Sequence, residues 1–441
     1  MRKILWITLL SSSLFANIIL TEGSRPPSAL DQMPANEVRD TRCIAQTPQP
    51  FAQQATLMSA QEQLDYDAHY NEKFFEPWQL LGMDLTENEK TWQFKYAKEK
   101  TYRRWGERIS KRWFDEQIKN SNFEAYNSVA KPAIMVRHSD IKLYPTDEEI
   151  FYDPKRTGEG FPFDYNQNSA IYLNTPIFVS HYSKDKQWVY IRSAFAFGWV
   201  KIEDMAFVSD AFKSRFQNGN YAITVKDNLY LEDDGKILSV VKMGTLFPIK
   251  DRKEKIYLFA QRDTNGNARI EETTPAKINL IAKKPIKFNQ YNISYISKQL
   301  VGEPYGWGGK LGARDCSALT RDFFAPFGIY LPRNSSQQAK ESGGEYISLA
   351  GLSPKERKET IVKYAKPFRS LLYVPGHVML YLGEYNGEPI ILHNYWGVRL
   401  KDKSKHVMGR AIISTTEPGK ERPDVKESSM LSHTLKAVVN F

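Results

Sequence analysis

Cysteine is scarce in this chain: 441 residues contain two, Cys43 and Cys316. That excludes a disulfide-scaffolded extracellular module, because the single internal bridge available would consume both thiols. Metal-ligand spacing is missing too. His69, His138, His181, His406 and His433 are scattered along the chain, so no metal and no metal chemistry is expected. The glycine-rich run Tyr305–Gly309 lacks the lysine and hydroxyl of a phosphate-binding loop, and no cofactor is expected. No segment concentrates Lys and Arg as a nucleic-acid binder would, although 61 basic against 51 acidic residues give a formal charge of +10. Such a surface suits an anionic polymer or simple solubility, and nucleic acid is not expected as a partner.

Residues 1–20 begin with Arg2 and Lys3, continue apolar from Ile4 to Leu10, and reach small residues by Ala16. This is the pattern of a signal peptide with a cleavage point near Ala16, and it is short for a membrane span. The expectation is export, to the periplasm or the medium, without stable membrane insertion. Residues 21–59, rich in Pro, Ser, Gln and Ala, read as a linker or extended arm.

The length calls for several domains. Residues 60–125 carry a helical, aromatic pattern (Tyr70, Phe74, Phe75, Trp78, Trp92, Trp105, Trp113) expected to pack on a neighbouring domain. From Tyr126 the period shortens. Runs such as Ile134–Val136, Ile177–Val179, Trp188–Ile191 and Trp199–Ile202 predict a small β-barrel over 126–210. A second set, including Tyr221–Val225, Thr245–Phe247 and Tyr257–Ala260, predicts another over 211–285. The remainder, 286–441, reads as one helix carrying Cys316 followed by strands carrying His377 and His393, with Gly351–Lys366 as a charged surface excursion. The fold class is multidomain α+β: two small β-barrels, then an α+β domain of papain-like type.

Asp315 is a helix N-cap and Cys316 opens the helix, where the dipole favours a thiolate. A nucleophilic thiol needs a base, and the base needs a group to orient it. Cys316, His377 and His393 fill those roles in that order. A backbone-satisfied strand histidine is the alternative for His393.

Tyr305-Gly306-Trp307-Gly308-Gly309, Asp315-Cys316-Ser317, Leu331-Pro332-Arg333, Gly376–Gly383 and Ile391-Leu392-His393 together resemble the NlpC-type cell-wall cysteine peptidases. Phe161–Ser169 with Gly198-Trp199-Val200 resembles the first bacterial SH3-like domain of a multidomain subgroup that carries an N-terminal clip, two such domains and the peptidase. Many relatives have Gly where this chain has Ala318. The resemblance implies an endopeptidase acting on peptidoglycan stem peptides or muropeptides with a free N-terminal L-Ala. The cut falls between γ-D-Glu and the diamino acid, meso-diaminopimelate being expected. It also implies that Asp315, helped by Ser317, meets the substrate ammonium, with helix capping as the other role. Tyr305 joins the Cys316 N–H as oxyanion donor, or only packs beside Trp307. Asp164 and Tyr165 wall the cleft, or are buried in their own barrel. Arg333 meets a substrate carboxylate or forms a structural salt bridge. A monomer is expected. Two other readings stay open: a non-catalytic wall-binding protein that uses its barrels, and a Cys–His amidase or acyltransferase on wall fragments.

Overall fold

The computed structural model describes residues 18–441. The expected signal peptide therefore lies, for residues 1–17, outside the described residues. Downstream of the cleavage point expected near Ala16, Ile19–Glu22 is a strand of the second barrel, antiparallel to Leu229–Asp233 and parallel to Ala268–Pro275, so the 1–20 segment overlaps it by two residues. Leu20 is buried there.

The segment expected as a linker or extended arm is an arm docked on the C-terminal domain. From that strand, residues 28–54 run along the far edge of the C-terminal domain, with short helices at Arg39–Cys43 and Gln49–Ala52. Asn36 N–H donates to Val407 O at 3.0 Å, Gln46 bonds both the C=O and the N–H of Ile413, and Gln54 bonds both backbone groups of Glu384. A polar segment with no periodicity of its own satisfies its backbone on other sheets, which composition does not reveal.

The helix Ala60–Phe75 is capped by Ser59, whose hydroxyl accepts from Glu62 N–H. Its buried face, Tyr70 and Phe75, continues into Trp78, and the cluster also takes in Ile134, Tyr221 and Phe323 from three further parts of the chain. Trp78 donates its indole N–H to Ala133 O at 2.7 Å. The aromatic stripe packs as expected through Trp78 and again through Phe94, Tyr96, Trp113 and Phe114, which meet Leu143, Tyr144 and Ile150 of the first barrel. In between, Trp105 stands 91% exposed at a turn and packs on nothing.

The first barrel is a seven-stranded antiparallel sheet that includes Ser139–Lys142, Gln167–Ile171, Pro176–Tyr182, Trp188–Ser193 and Phe197–Lys201. Its interior is β-branched, Ile141, Ile171, Val179, Val189 and Val200 among others. The second is an eight-stranded sheet with Ile19–Glu22 inside it. Ala268–Pro275, polar and half-exposed, gave no sequence signal because one face meets solvent.

The C-terminal domain is a six-stranded antiparallel sheet in the order Glu345–Ser348, Ala437–Asn440, Ser370–Val374, His377–Tyr385, Glu388–Arg399, Lys405–Ser414. The helix Cys316–Phe324 lies on it, burying Leu319, Phe323 and Phe324. The charged excursion is in part a helix, Pro354–Tyr364, with a Ser353/Glu356 capping box and Pro at its first position. Only Arg357 and Ile361 of it are buried, so its apolar stripe was too thin to read. No described helix is long and apolar enough to cross a membrane.

Candidate active site

Asp315 ends the glycine loop in extended backbone, and its carboxylate accepts from Ala318 N–H at 2.8 Å, which starts the helix at Cys316. The Cys316 N–H at the first helical position has no intrahelical acceptor and faces outward from the helix end. Cys43 is exposed and Cys316 buried, and both are free.

The two histidines meet through sheet register. Leu380 pairs with Leu392, so on adjacent antiparallel strands His377 and His393 are same-face diagonal neighbours. Their rings make a hydrogen bond, His377 Nε2 to His393 Nδ1, at 2.8 Å. Tyr395, on the same face, stacks on His393 with centroids 4.7 Å apart and lies 5.6 Å from His377. The far nitrogen of His393 reaches Ser414 Oγ at 3.1 Å. The Cys316 sulfur accepts from the backbone N–H of Val378, the residue after His377. Nucleophile and ring are thereby brought to one place, and Nδ1 is left as the His377 nitrogen not engaged with His393.

Burial pushes the Cys316 thiol up to about 12, and the Asp315 charge adds to it, while the N–H groups of Val378 and Ser317 and the Arg333 charge oppose. Burial and then the Lys405 ammonium bring His377 down to about 4. Burial and then His377 hold His393 well below the usual imidazole range. At neutral pH the resting pair is a neutral thiol beside a neutral imidazole. The thiolate expected from the helix dipole is not the resting form, because sulfur desolvation outweighs one helix end.

Asp315 is saturated. Arg333 grips it at two points, Nη2–Oδ2 at 2.7 Å and Nη1–Oδ1 at 3.1 Å, and Gly308 N–H donates to Oδ2 at 3.1 Å. Ser317 donates to Oδ1 at 3.2 Å and accepts from Arg333 Nη1 at 2.9 Å. Arg333 also donates to Ser169 Oγ of the first barrel at 2.8 Å. Of its two expected roles, Arg333 takes the structural one. Asp315 caps the helix and holds Arg333 together, so a ligand ammonium would meet a charge already neutralised. Tyr305 is buried against Phe163 and Trp396, with ring centroids 5.6 and 5.7 Å away. Burial, then the neighbouring Cys316 and Asp315, hold its hydroxyl protonated, and among the described residues nothing in the protein pairs with it.

Gly308 and Gly309 stand at positive φ, which a tight turn favours, and both also lie close against the first barrel. A Cβ on Gly308, at φ +61°, would sit 2.9 Å from Gln167, and one on Gly309, at φ +85°, would sit 2.5 Å from the Ala170 Cβ. They let the first barrel close onto the loop. Asp164 is a latch in that closure and not a cleft wall. It is fully buried, accepts from Ile150 and Asn166 N–H, and takes Lys310 Nζ at 2.6 Å. Tyr165 does face the cleft, packed against Tyr96, Tyr152 and Trp307.

The resulting cleft holds about 800 Å³. Its floor is Tyr305, Trp307, Asp315, Cys316, Ser317, Arg333 and Gly376; one wall is Tyr165, Asn168, Arg192 and Phe195 of the first barrel; the other is Asp84, Glu89, Trp92 and Tyr96 of the helical N-terminal part. The sequence reading missed this last wall and Arg192, since nothing in their local pattern separates them from surface residues. Among the described residues no group of His, Cys, Asp and Glu could hold a metal ion.

Comparison with known proteins gives three family-model matches: residues 7–126 to the NLPC_P60 N-terminal stabilising domain, 149–201 to an SH3 domain of the SH3b1 type, and 302–416 to the NlpC/P60 family. Among solved structures, an NlpC/P60 endopeptidase from Photobacterium damselae subsp. piscicida superposes with a TM-score of 0.79 at 21% identity, over 93% of this chain and 98% of that one. An NlpC/P60 family protein from Bacillus cereus gives 0.46 at 14% identity, over 70% of this chain and 98% of that one. No curated protein sequence matches the chain.

Proposed function

Because the chain belongs to the NlpC/P60 family, with the family's N-terminal stabilising domain and an SH3 domain ahead of its NlpC/P60 domain, we propose that it is a peptidoglycan hydrolase: a cysteine endopeptidase that cuts stem peptides between γ-D-Glu and meso-diaminopimelate when L-Ala carries a free amine. The observation that carries the reading is the 2.8 Å hydrogen bond between His377 and His393 behind Cys316, whose sulfur accepts from the N–H of Val378 next to His377 and which lies at the floor of a cleft that three parts of the chain enclose.

The chemistry starts from the neutral pair. As sulfur attacks the amide carbonyl, His377 Nδ1 takes the thiol proton, so charge separates only when substrate has expelled water. The Cys316 N–H and the Tyr305 hydroxyl donate to the developing oxyanion. The imidazolium returns its proton to the leaving amine of the diamino acid, a thioester remains on Cys316, and water activated by the same imidazole releases the γ-D-glutamyl product. Narrow walls on both sides favour a short peptide over a stem still joined to glycan. For Asp315 and Ser317 to take the ammonium of L-Ala, it must displace one of the hydrogen bonds that Ser317, Gly308 and Arg333 make to the Asp315 carboxylate. Export, as the N-terminal pattern suggests, would bring the enzyme to this substrate.

Mass spectrometry of L-Ala-γ-D-Glu-diaminopimelate incubated with the protein tests the reading. Release of L-Ala-γ-D-Glu, its loss in Cys316→Ala, and a large drop on N-acetylating the peptide are expected. An intact peptide would sink the proposal. Turnover by Cys316→Ala would remove the mechanism.

A further inference from the structure

Behind the two histidines lies a chain of hydrogen bonds whose directions are all determined by its last atom. Ser414 Oγ is 2.8 Å from the carbonyl oxygen of Thr415 and 3.1 Å from His393 Nε2. A carbonyl oxygen only accepts, so the one hydroxyl proton of Ser414 goes to Thr415. Ser414 can then only accept from His393, and Nε2 of that ring must carry its proton. A neutral imidazole has one N–H, so His393 Nδ1 is a bare acceptor. It sits 2.8 Å from His377 Nε2, which must therefore be the N–H of the His377 ring. What remains on His377 is an unprotonated Nδ1, the nitrogen a thiol proton needs.

We propose that Ser414 is a positioning residue that sets the proton arrangement of both histidines, fixing His377 as the Nδ1 base through His393. The inference rests on the assignment of Cys316 and His377 above, and it adds a residue outside that set. Ser414 is fully buried at the end of the strand Lys405–Ser414, so no water replaces its oxygen. Its segment is held from outside by the N-terminal arm. The Asp40 carboxylate accepts from both the N–H and the hydroxyl of Thr415 at 2.7 Å, and the Gln46 amide bonds Ile413 on both backbone groups. The arm thus fixes the carbonyl that fixes the proton. Both rings are neutral in the resting site, which is the condition under which a tautomer matters; an imidazolium would have no bare nitrogen.

The experiment is ring-nitrogen NMR of the full chain with 15N-labelled histidine, read without substrate. In the native protein His393 is expected as the Nε2–H tautomer with a bare Nδ1, and His377 likewise. In Ser414→Ala the His393 ring loses its acceptor, and the Nδ1–H tautomer should appear in both rings. kcat on the tripeptide should fall about 10- to 100-fold with KM little changed, the scale of losing part of a general-base effect. Ser414→Thr, which keeps the oxygen, should restore the native spectrum. Finding a protonated Nδ1 on native His393, or an unchanged spectrum in Ser414→Ala, would overturn the inference. A native protein with the expected tautomers but no turnover would count against the hydrolase reading alone. If Ser414→Ala fails to fold, Asp40→Asn, which loosens the Thr415 carbonyl from outside the core, should give the same tautomer mixture, and an unchanged spectrum there would also overturn it.

Discussion

Arg333 and Asp315 form a two-point ion pair directly beneath the nucleophile, with Nη2 2.7 Å from Oδ2. The pair links three functions at once: it caps the Cys316 helix, ties the first barrel to the peptidase through Ser169, and sets the charge felt by the thiol. Replacing Arg333 with Gln leaves a buried carboxylate unpaired. A loss of about 3–5 kcal/mol in unfolding free energy is expected by denaturant titration, the usual cost of removing one partner of a buried pair. A loss under about 1 kcal/mol would show that the carboxylate is solvated after all.

The partner substitution has the opposite effect on the sulfur. Asp315 is the second cause, after burial, of the raised Cys316 thiol. In Asp315→Asn that repulsion disappears while Arg333 remains, so the thiol should titrate lower and react faster with iodoacetamide at mildly alkaline pH. A reaction no faster than in the native protein would contradict the sign. Hydrolysis should nevertheless fall, because the helix cap and the two-point pairing with Arg333 that hold Cys316 in place are weakened together.

The catalytic order of residues was legible because it lies in local motifs: a capped helix start at Asp315-Cys316 and two histidines in strand-like runs. The register that makes His377 and His393 diagonal neighbours was not, since it depends on a bulge between Tyr381 and Gly383 and on a hairpin whose pairing no local pattern fixes. Residues 19–22, Ile-Leu-Thr-Glu, were divided between leader and arm because so short a mixed segment carries no period of its own; only partners about 200 residues away make it a strand. Nothing local to Gly308 and Gly309 says that the first barrel closes onto them, while Gly306 is hemmed in by Lys310 and Ala313 of its own loop. Asp164 looked like a cleft residue because the motif around it is, while its buried carboxylate serves Lys310.

Acid should act on turnover and on stability in separate ways. For turnover, His377 must be neutral to take the thiol proton, and burial followed by the Lys405 charge brings it to about 4. The acid limb of kcat/KM should therefore fall near pH 4 and not at the pH of a free imidazole, about 6.5. Lys405→Met removes the second cause and should move the limb towards neutrality. An unmoved limb would exclude Lys405 as a contributor.

For stability the sign follows from proton counting. His138, His181 and His377 are each lowered to about 4, chiefly by burial, and His393 further. Between the unfolded value of about 6.5 and the folded values, the unfolded chain binds more protons, so stability rises with pH in this window and is lost as pH falls through it. Asp204 and Glu303, raised by burial, oppose this, but they are two groups against four. Thermal unfolding should show Tm falling by several degrees from about pH 6.5 to about pH 4. A flat Tm would mean that the imidazoles are solvated.

Arg314, one residue before Asp315, tests whether the second barrel matters to a site it does not line. Its guanidinium is fully buried and donates to Asp227 of that barrel through two 2.9 Å bonds, to Glu303 at 3.0 and 3.1 Å, and to Asp322 at 2.7 Å. Its carbonyl accepts from Gly306 N–H at 2.9 Å and from Asn394 Nδ2 at 2.7 Å, which ties the glycine loop to the strand of His393. Lys242, 3.0 Å from Asp227, and Arg321, 3.2 Å from Asp322, are further cations in the cluster. Arg314→Met leaves Asp227 and Glu303 to Lys242 alone and Asp322 to Arg321, and should cost about 3–5 kcal/mol, together with turnover. Asp227→Asn alone leaves Arg314 two carboxylates and should cost less. The double variant should lose less than the sum of the singles, by at least about 1 kcal/mol, because each single strands charge that the other removes. Strict additivity would mean that barrel and loop are stabilised independently, and that the second barrel is a passenger to the chemistry.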